Sequence, residues 1–296
     1  MTNTLLFLLL MIPGTFFLGV NDILIRKVLR RDAMDQQLLL GLDFIGSALV
    51  LSVPLFIFGI PELKPGFWSA FLIAVVLNVF AQWAWYTAFK KEEASLVAPL
   101  RLLTPPLVLL TGYFILSEQP SLGGILGIFI TIGGLWFLLD SEAKFKDMQL
   151  LSVLKRPGVL LGLWGAISFA ISFPLDKKAV VASSPLFLAT LALFTVGIVN
   201  FIIGYSMHHR DGHFFAGLKD GWRTIILIPF VHAAGSFLTF ASLNYALAAY
   251  AASVKRLWSL WTVLLSGKLL EEKNIFKKVM SIVIMLGGIF ITVFLG

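Results

Sequence analysis

Cysteine is absent from the 296 residues, which excludes disulfides and cysteine–metal centres. Charge is sparse too: Asp, Glu, Lys and Arg make up 13% of the chain against 58% hydrophobic residues, and the mean hydropathy is +0.93. Soluble domains carry about twice that share of charge. The composition is that of an integral membrane protein with no soluble domain of useful size. Catalytic signatures are missing: HExxH, GxSxG and paired acids at metal spacing do not occur, which argues against an enzyme. No Walker-type loop is present, so neither ATP nor any other cofactor is expected. The first apolar run, TLLFLLLMIPGTFFLGV, has no preceding Lys or Arg and no small-residue cleavage pattern; it reads as a retained helix.

What the chain does have is a succession of apolar runs, each long enough as a helix to cross a hydrocarbon core of roughly 30 Å. Their continuity excludes a transmembrane barrel, which requires alternation. Breaks at charged and Pro/Gly-marked positions delimit ten spans: 5–25, 37–59, 67–89, 94–117, 121–140, 157–176, 184–206, 222–243, 247–270 and 276–295. Sliding the sequence along itself by 154 residues lays the first five spans on the second five without gaps. Glu118 falls on Glu272, Gly133-Gly134 on Gly287-Gly288, Trp68 on Trp222 and Asp22 on Asp176. Five is odd, so the halves enter the membrane from opposite sides. The expected fold is all-α, ten transmembrane helices as two inverted five-helix repeats, residues 1–140 and 157–296 joined by a linker at 141–156.

Of the 23 Lys and Arg, seventeen lie in loops after odd-numbered spans, and only Lys64, Lys177 and Lys178 on the other side. By the positive-inside rule the crowded side is cytoplasmic and both termini lie outside. The net charge of +7 is then accounted for by loops facing anionic lipid and the cytoplasm; nucleic acid is not an expected partner. Short loops fit a bacterial inner membrane, with the protein a monomer or homodimer.

Three cations remain inside spans: Arg101, Lys255 and Arg256. The 154-residue offset lays Arg101 on Lys255. In an inverted repeat the two sit very roughly 5–10 Å from the midplane on opposite sides, where they can converge on one ligand. Snorkelling to the headgroups is the alternative for a lone cation; a repeat-matched pair favours a wet cavity. Lys255, Ser259, Thr262 and Ser266 form a polar stripe on span 9, and His232, Ser236 and Thr239 form one on span 8 that overlies Asn78, Gln82 and Trp85 of span 3. An Arg and a Lys from different helices suit a tetrahedral oxyanion, one as a bidentate fork and the other as a point charge. A carboxylate would also be held.

Asp43, the one acid well inside a span, either pairs with Arg101 or approaches the basic loop at Arg30–Arg31. His232, the one histidine inside a span, bonds substrate, carries a proton or serves packing. Trp258 and Trp261 pack on a ligand ring, on lipid or on a neighbouring helix. Trp68 and Trp222, at span starts, belong to the interfacial belt. Glu118 and Glu272 read as helix-capping residues, and LGGILG (122–127) and the Gly-Gly pairs as close helix contacts.

Two five-helix repeats, each with a fourth span closing in Glu before a Gly-rich fifth, resemble the drug/metabolite transporter superfamily of EamA type. Within it, SVKRLWSLWTVLLSG resembles the ninth-helix Lys-Arg motif of triose-phosphate and related sugar-phosphate translocators, and Arg101, four residues before Pro105, stands where those proteins carry Lys. Thr104 replaces the acid usual before that Pro. The resemblance implies that Arg101, Lys255 and Arg256 bind a substrate phosphate. It also implies termini in the cytoplasm, the reverse of the charge count.

The leading expectation is therefore a secondary carrier exchanging small anionic, phosphorylated metabolites by alternating access. Its substrate contacts come from Arg101, Lys255, Arg256, His232, Asn78, Gln82, Tyr86, Ser259 and Trp258, with Asp43 and His232 as candidate counter-ion or proton carrier. Alternatives are an exporter of amino acids or amphipathic metabolites, using Trp258, Trp85 and Tyr86, and a flippase for a lipid-linked phosphate.

Overall fold

The computed structural model describes residues 2–29, 36–92, 98–139, 155–208, 218–270 and 275–295, and every regular element among them is helical. In chain order the α-helices are α1 (Thr2–Leu29), α2 (Gln36–Phe58), α3 (Phe67–Lys91), α4 (Thr104–Leu116), α5 (Leu122–Leu139), α6 (Pro157–Val181), α7 (Pro185–His208), α8 (Leu218–Ser242), α9 (Ala248–Val254), α10 (Leu257–Leu270) and α11 (Ile275–Phe294). A 3₁₀ helix, Ala98–Leu103, precedes α4. Six helices are long and apolar enough to cross a membrane, and shorter apolar helices cover Leu100–Leu116, Leu122–Gly134 and Val283–Thr292. Glu272, the Arg30–Arg31 loop and most of the 141–156 linker lie outside the described residues.

Spans four and nine, expected as continuous helices, are both interrupted. In span four the cause is local. Pro105 and Pro106 bring no N–H, so the carbonyls of Arg101 and Leu102 have no helical donor and the chain enters α4 through a 3₁₀ segment. In span nine no proline acts. There the chain turns at Lys255 and Arg256, the Trp258 N–H donates to the Lys255 carbonyl at 3.1 Å, and the Ser259 N–H to that of Arg256 at 3.0 Å.

The helices form two compact units, each drawing on both halves of the sequence. The first comprises Met1–Phe71, Lys177–Tyr245 and Lys255–Glu271. In it α1 packs on α8 and α10, and α2 on α7 and α8. Leu38 and Leu39 of α2 are buried with Val28 of α1 and Ile228 of α8. Close approach is made possible by glycine: a Cβ on Gly46 would stand 2.7 Å from Pro229 Cγ, and one on Gly19 2.6 Å from Trp261 Cβ. In lipid such backbone proximity does what apolar burial does in water, because dispersion and packing drive helix association there.

The second unit comprises Leu72–Asp176, Ala246–Val254 and Glu272–Gly296. Here α5 packs along α11, and α9 inserts against α4, α5 and α11. The α5–α11 contact is reciprocal. A side chain on Gly127 would strike Thr292, and one on Gly288 would strike Thr131, while each threonine hydroxyl bonds the glycine carbonyl of its own helix, at 2.8 Å (Thr131) and 2.9 Å (Thr292). The Gly-rich segments are contact surfaces, as their composition predicts.

Candidate functional site

Arg101 is placed by a short chain of dependencies. Gly165 on α6 has no side chain, and a Cβ there would come 2.7 Å from Nε1 of the Trp85 ring of α3. The indole can therefore lie flat against α6, buried with Ala81, Ala88 and Ala166. The Arg101 guanidinium stacks over that ring, 4.9 Å from its centroid, and the residue is otherwise exposed. A guanidinium over a ring face presents a planar N–H fork of the geometry that suits an oxyanion.

Lys255 and Arg256 are half-buried and sit in the turn between α9 and α10. All seven residues of α9 are buried. Its N-terminus is capped from another helix end: the Glu118 carboxylate, after α4, accepts the Ala248 N–H at 2.7 Å. Tyr250 of α9 accepts the Ser121 N–H on its hydroxyl at 3.0 Å. Glu118 thus caps, as predicted, but it caps a helix of the second repeat. Ser253 Oγ, at the end of α9, is buried without a hydrogen-bond partner among the described residues.

The helix ends at these two breaks are poor anion donors on their own. Pro105 and Pro106 remove two N–H groups from the first turn of α4, and the Trp258 and Ser259 N–H groups of α10 are already engaged. Any anion at either break is therefore held chiefly by the cationic side chains.

The polar stripes divide. Thr262, expected to face a cavity with Lys255 and Ser259, is buried, donating to Asp22 Oδ2 at 3.2 Å and to the Trp258 carbonyl at 3.1 Å. Ser259 is half-buried, and the Ser266 side chain lies outside the described residues. Trp261 takes the helix-packing alternative: its indole N–H donates to Thr15 Oγ1 at 3.2 Å and its ring meets Phe16 edge-on at 5.6 Å. Trp258 Nε1 is buried with no hydrogen-bond partner among the described residues. On α8 the Thr239 hydroxyl turns back to the Gly235 and Ser236 carbonyls, both at 2.9 Å, so its single donor is spent on its own helix. On α3, Asn78 Oδ1 accepts the Ser172 hydroxyl of α6 at 3.1 Å, Gln82 is half-buried, and the Tyr86 side chain lies outside the described residues. Trp68 and Trp222 are half-exposed at the starts of α3 and α8.

Asp43 has a partner the sequence did not indicate. His232 Nδ1 lies 2.9 Å from Asp43 Oδ2, Asn21 Nδ2 donates to the same oxygen at 3.2 Å, and the Ser47 hydroxyl lies 3.2 Å from Oδ1. All four residues are buried in the first unit, on α1, α2 and α8. Neither expectation for Asp43 named this imidazole, and the basic loop at Arg30–Arg31 lies outside the described residues. Asn21 and Ser47 were missed. The signal available for Asn21 was its place beside Asp22, two polar residues together in an apolar run.

A solved crystal structure whose title states no function is similar over 98% of this chain and 96% of its own, with a TM-score of 0.75 and 12% identity, a likeness of fold alone. No curated protein matches the sequence. The description "EamA-like transporter family" fits twice, over residues 5–140 and 156–294, one match to each half found by the 154-residue offset. With nearly the whole chain matched, the protein belongs to the EamA-like transporter family, membrane transporters of small molecules.

Proposed function

We propose that the protein is a secondary carrier for a small anionic, phosphorylated metabolite, working by exchange. The observation that carries this reading is the coincidence of cation and helix break in both repeats. Arg101 lies in the 3₁₀ segment before α4, and its repeat mate Lys255 in the turn before α10. Discontinuous helices at corresponding positions of inverted repeats are the hallmark of carrier binding sites. The stacking of Arg101 on Trp85 supports a guanidinium oriented for an oxyanion. Exchange follows from charge, since unloaded cations resist passage through a low-dielectric region. The likeness of the Lys-Arg turn to sugar-phosphate translocators favours phosphate over carboxylate. Ten spans, two repeats at 1–140 and 157–296, an inner-membrane location and extracytoplasmic termini complete the proposal.

The reading is tested by counterflow of phosphorylated three- to six-carbon metabolites in proteoliposomes. Wild-type protein exchanges at least one of them, and Arg101→Ala and Lys255→Ala each lower the rate by about two orders of magnitude, the loss of one charge-assisted contact of roughly 3 kcal/mol. Undiminished counterflow in both variants, with both folded, refutes the assignment. Export of amino acids or amphipathic metabolites is a second reading, favoured by one observation: the buried Trp258 indole N–H, without a hydrogen-bond partner among the described residues, is a ready donor to a carboxylate.

A further inference from the structure

The Asp43–His232 pair belongs to neither cation-bearing break. Both residues lie in helix interiors, 1% and 7% exposed, on helices from opposite halves of the sequence. The 154-residue offset lays Asp43 on Gly197 and His232 on Asn78, so the pair occurs once and departs from the repeat. It is held firmly. Gly46 admits Pro229 of α8 to the α2 backbone, the Ser47 hydroxyl lies 3.1 Å from the Pro229 carbonyl, and the Phe44 ring meets the imidazole edge-on at 4.7 Å. The Asn21 side chain, whose amide nitrogen donates to Asp43, leaves its own Oδ1 buried and without a hydrogen-bond partner among the described residues.

We propose that Asp43 and His232 form a proton-binding site that loads and unloads during transport, coupling turnover of the carrier to the proton gradient. The proposal rests on the carrier reading above. With one proton more than its most basic state the pair is a carboxylate and an imidazolium, net zero. After release it is a carboxylate and a neutral imidazole, net −1. A carboxylate only accepts, so Nδ1 keeps its proton toward Asp43 Oδ2 in both states, and the proton gained or released is the one on His232 Nε2.

Among the described side chains of the surrounding helices other titratable groups are few; those of Arg26 on α1 and of Lys219 and Asp220 on α8 lie outside the described residues. Asn21 and Ser47 are neutral donors. Asp43 is the only titratable residue of α2. On α1, Asp22 accepts a bond from Thr262 and Lys27 is exposed. On α7 no titratable residue occurs before Tyr205, itself half-exposed. On α8, Arg223 is exposed, over the Trp222 ring. Among the described residues no fixed cation neutralises Asp43 in place of His232. A buried net charge is costly in so apolar a setting, and coupling requires that carrier conformations differ in how readily the pair holds its proton. A direct imidazole–carboxylate contact also suits a proton better than sodium, which requires several oxygen ligands.

The experiment uses full-length protein in two formats. In detergent, histidine-selective ¹⁵N NMR reports His232 by the signal lost in His232→Gln. We expect its ring-nitrogen signals to change protonation state with pH, and to respond differently in Asp43→Asn. In potential-clamped proteoliposomes preloaded with inorganic phosphate, exchange uptake of inorganic phosphate and glycerol 3-phosphate is followed with and without an inward proton gradient. One pH unit raises wild-type accumulation up to about tenfold for one proton per anion, and both variants lose that response. A His232 signal in one state throughout overturns the proposal, as does sodium-driven, proton-indifferent uptake. Wild-type counterflow that ignores the proton gradient also overturns it and leaves the carrier reading standing. If neither probe is exchanged, the phosphate reading falls, and His232 titration alone decides whether the pair is a proton site.

Discussion

The two Gly-Gly pairs offer a test in which adjacent, chemically identical residues respond with opposite sign. A Cβ on Gly288 would fall 2.5 Å from Thr131 Oγ1 and 2.8 Å from the Gly127 carbonyl oxygen. Backbone and a hydrogen-bonded hydroxyl cannot step aside as a flexible side chain would. Replacing Gly288 by Ala must push α5 and α11 apart by close to an ångström, forfeiting part of every dispersion contact along the seam. The cost of such overpacking is about 1–3 kcal/mol. Gly134, facing the Met285 backbone nitrogen at 2.8 Å, behaves alike. Gly133 and Gly287 have nothing within 4 Å of the same hypothetical atom. There alanine removes unfolded-state freedom and stabilises the helix by about 0.5–1 kcal/mol. Within each pair the difference between neighbours is thus roughly 1.5–4 kcal/mol. Reversible unfolding in mixed micelles measures it for the four single variants. Equal destabilisation by Gly287→Ala and Gly288→Ala would refute the packing argument, since it would make the loss a matter of glycine content and not of the α5–α11 contact.

Three further outcomes follow from single contacts. Thr15→Val keeps the shape but leaves the Trp261 indole N–H without its acceptor and costs about 1–3 kcal/mol in the same unfolding assay, whereas Thr15→Ser costs much less. Glu118→Ala uncaps α9 at Ala248 and lowers stability by about 1–2 kcal/mol; faster amide exchange at Ala248 than at the centre of α10 would accompany it. The Glu92–Arg156 ion pair, 3.4 Å long with Arg156 42% exposed, contributes under about 1 kcal/mol, so Arg156→Gln leaves unfolding almost unchanged.

Much of this architecture is legible in the amino-acid order because lipid imposes simple rules. Length and hydropathy mark the helices, and the ungapped offset from Glu118 to Glu272 exposes the duplication. Proline announces the break before α4, since a residue without an N–H acts on its own helix. No such mark stands at Lys255 and Arg256, and that interruption was accessible only by projecting the first repeat onto the second. Partners across helices were harder to read. Periodicity placed Thr239 and Thr262 on polar faces, but a threonine can spend its hydroxyl on its own helix or on an adjacent one, and the pattern is the same. Charge alone offered Asp43 either Arg101 or the basic loop at Arg30–Arg31. The structure gives it a histidine 189 positions away, because which helix lies against α2 is a property of the assembled bundle.

The mixing of the two halves within each compact unit has a consequence for biogenesis. When α1 and α2 leave the ribosome, the faces of α2 that will carry α7 and α8 are bare, and α7 begins only at Pro185. At typical synthesis rates that interval is on the order of ten seconds. Over that time small residues such as Gly41 and Gly46 are presented to lipid with no helix to receive them. Residues 1–140 alone would remain in that condition, an inserted set of helices without mates. The duplication that built this protein therefore also tied its halves together: neither can complete a packed core until the other has been made.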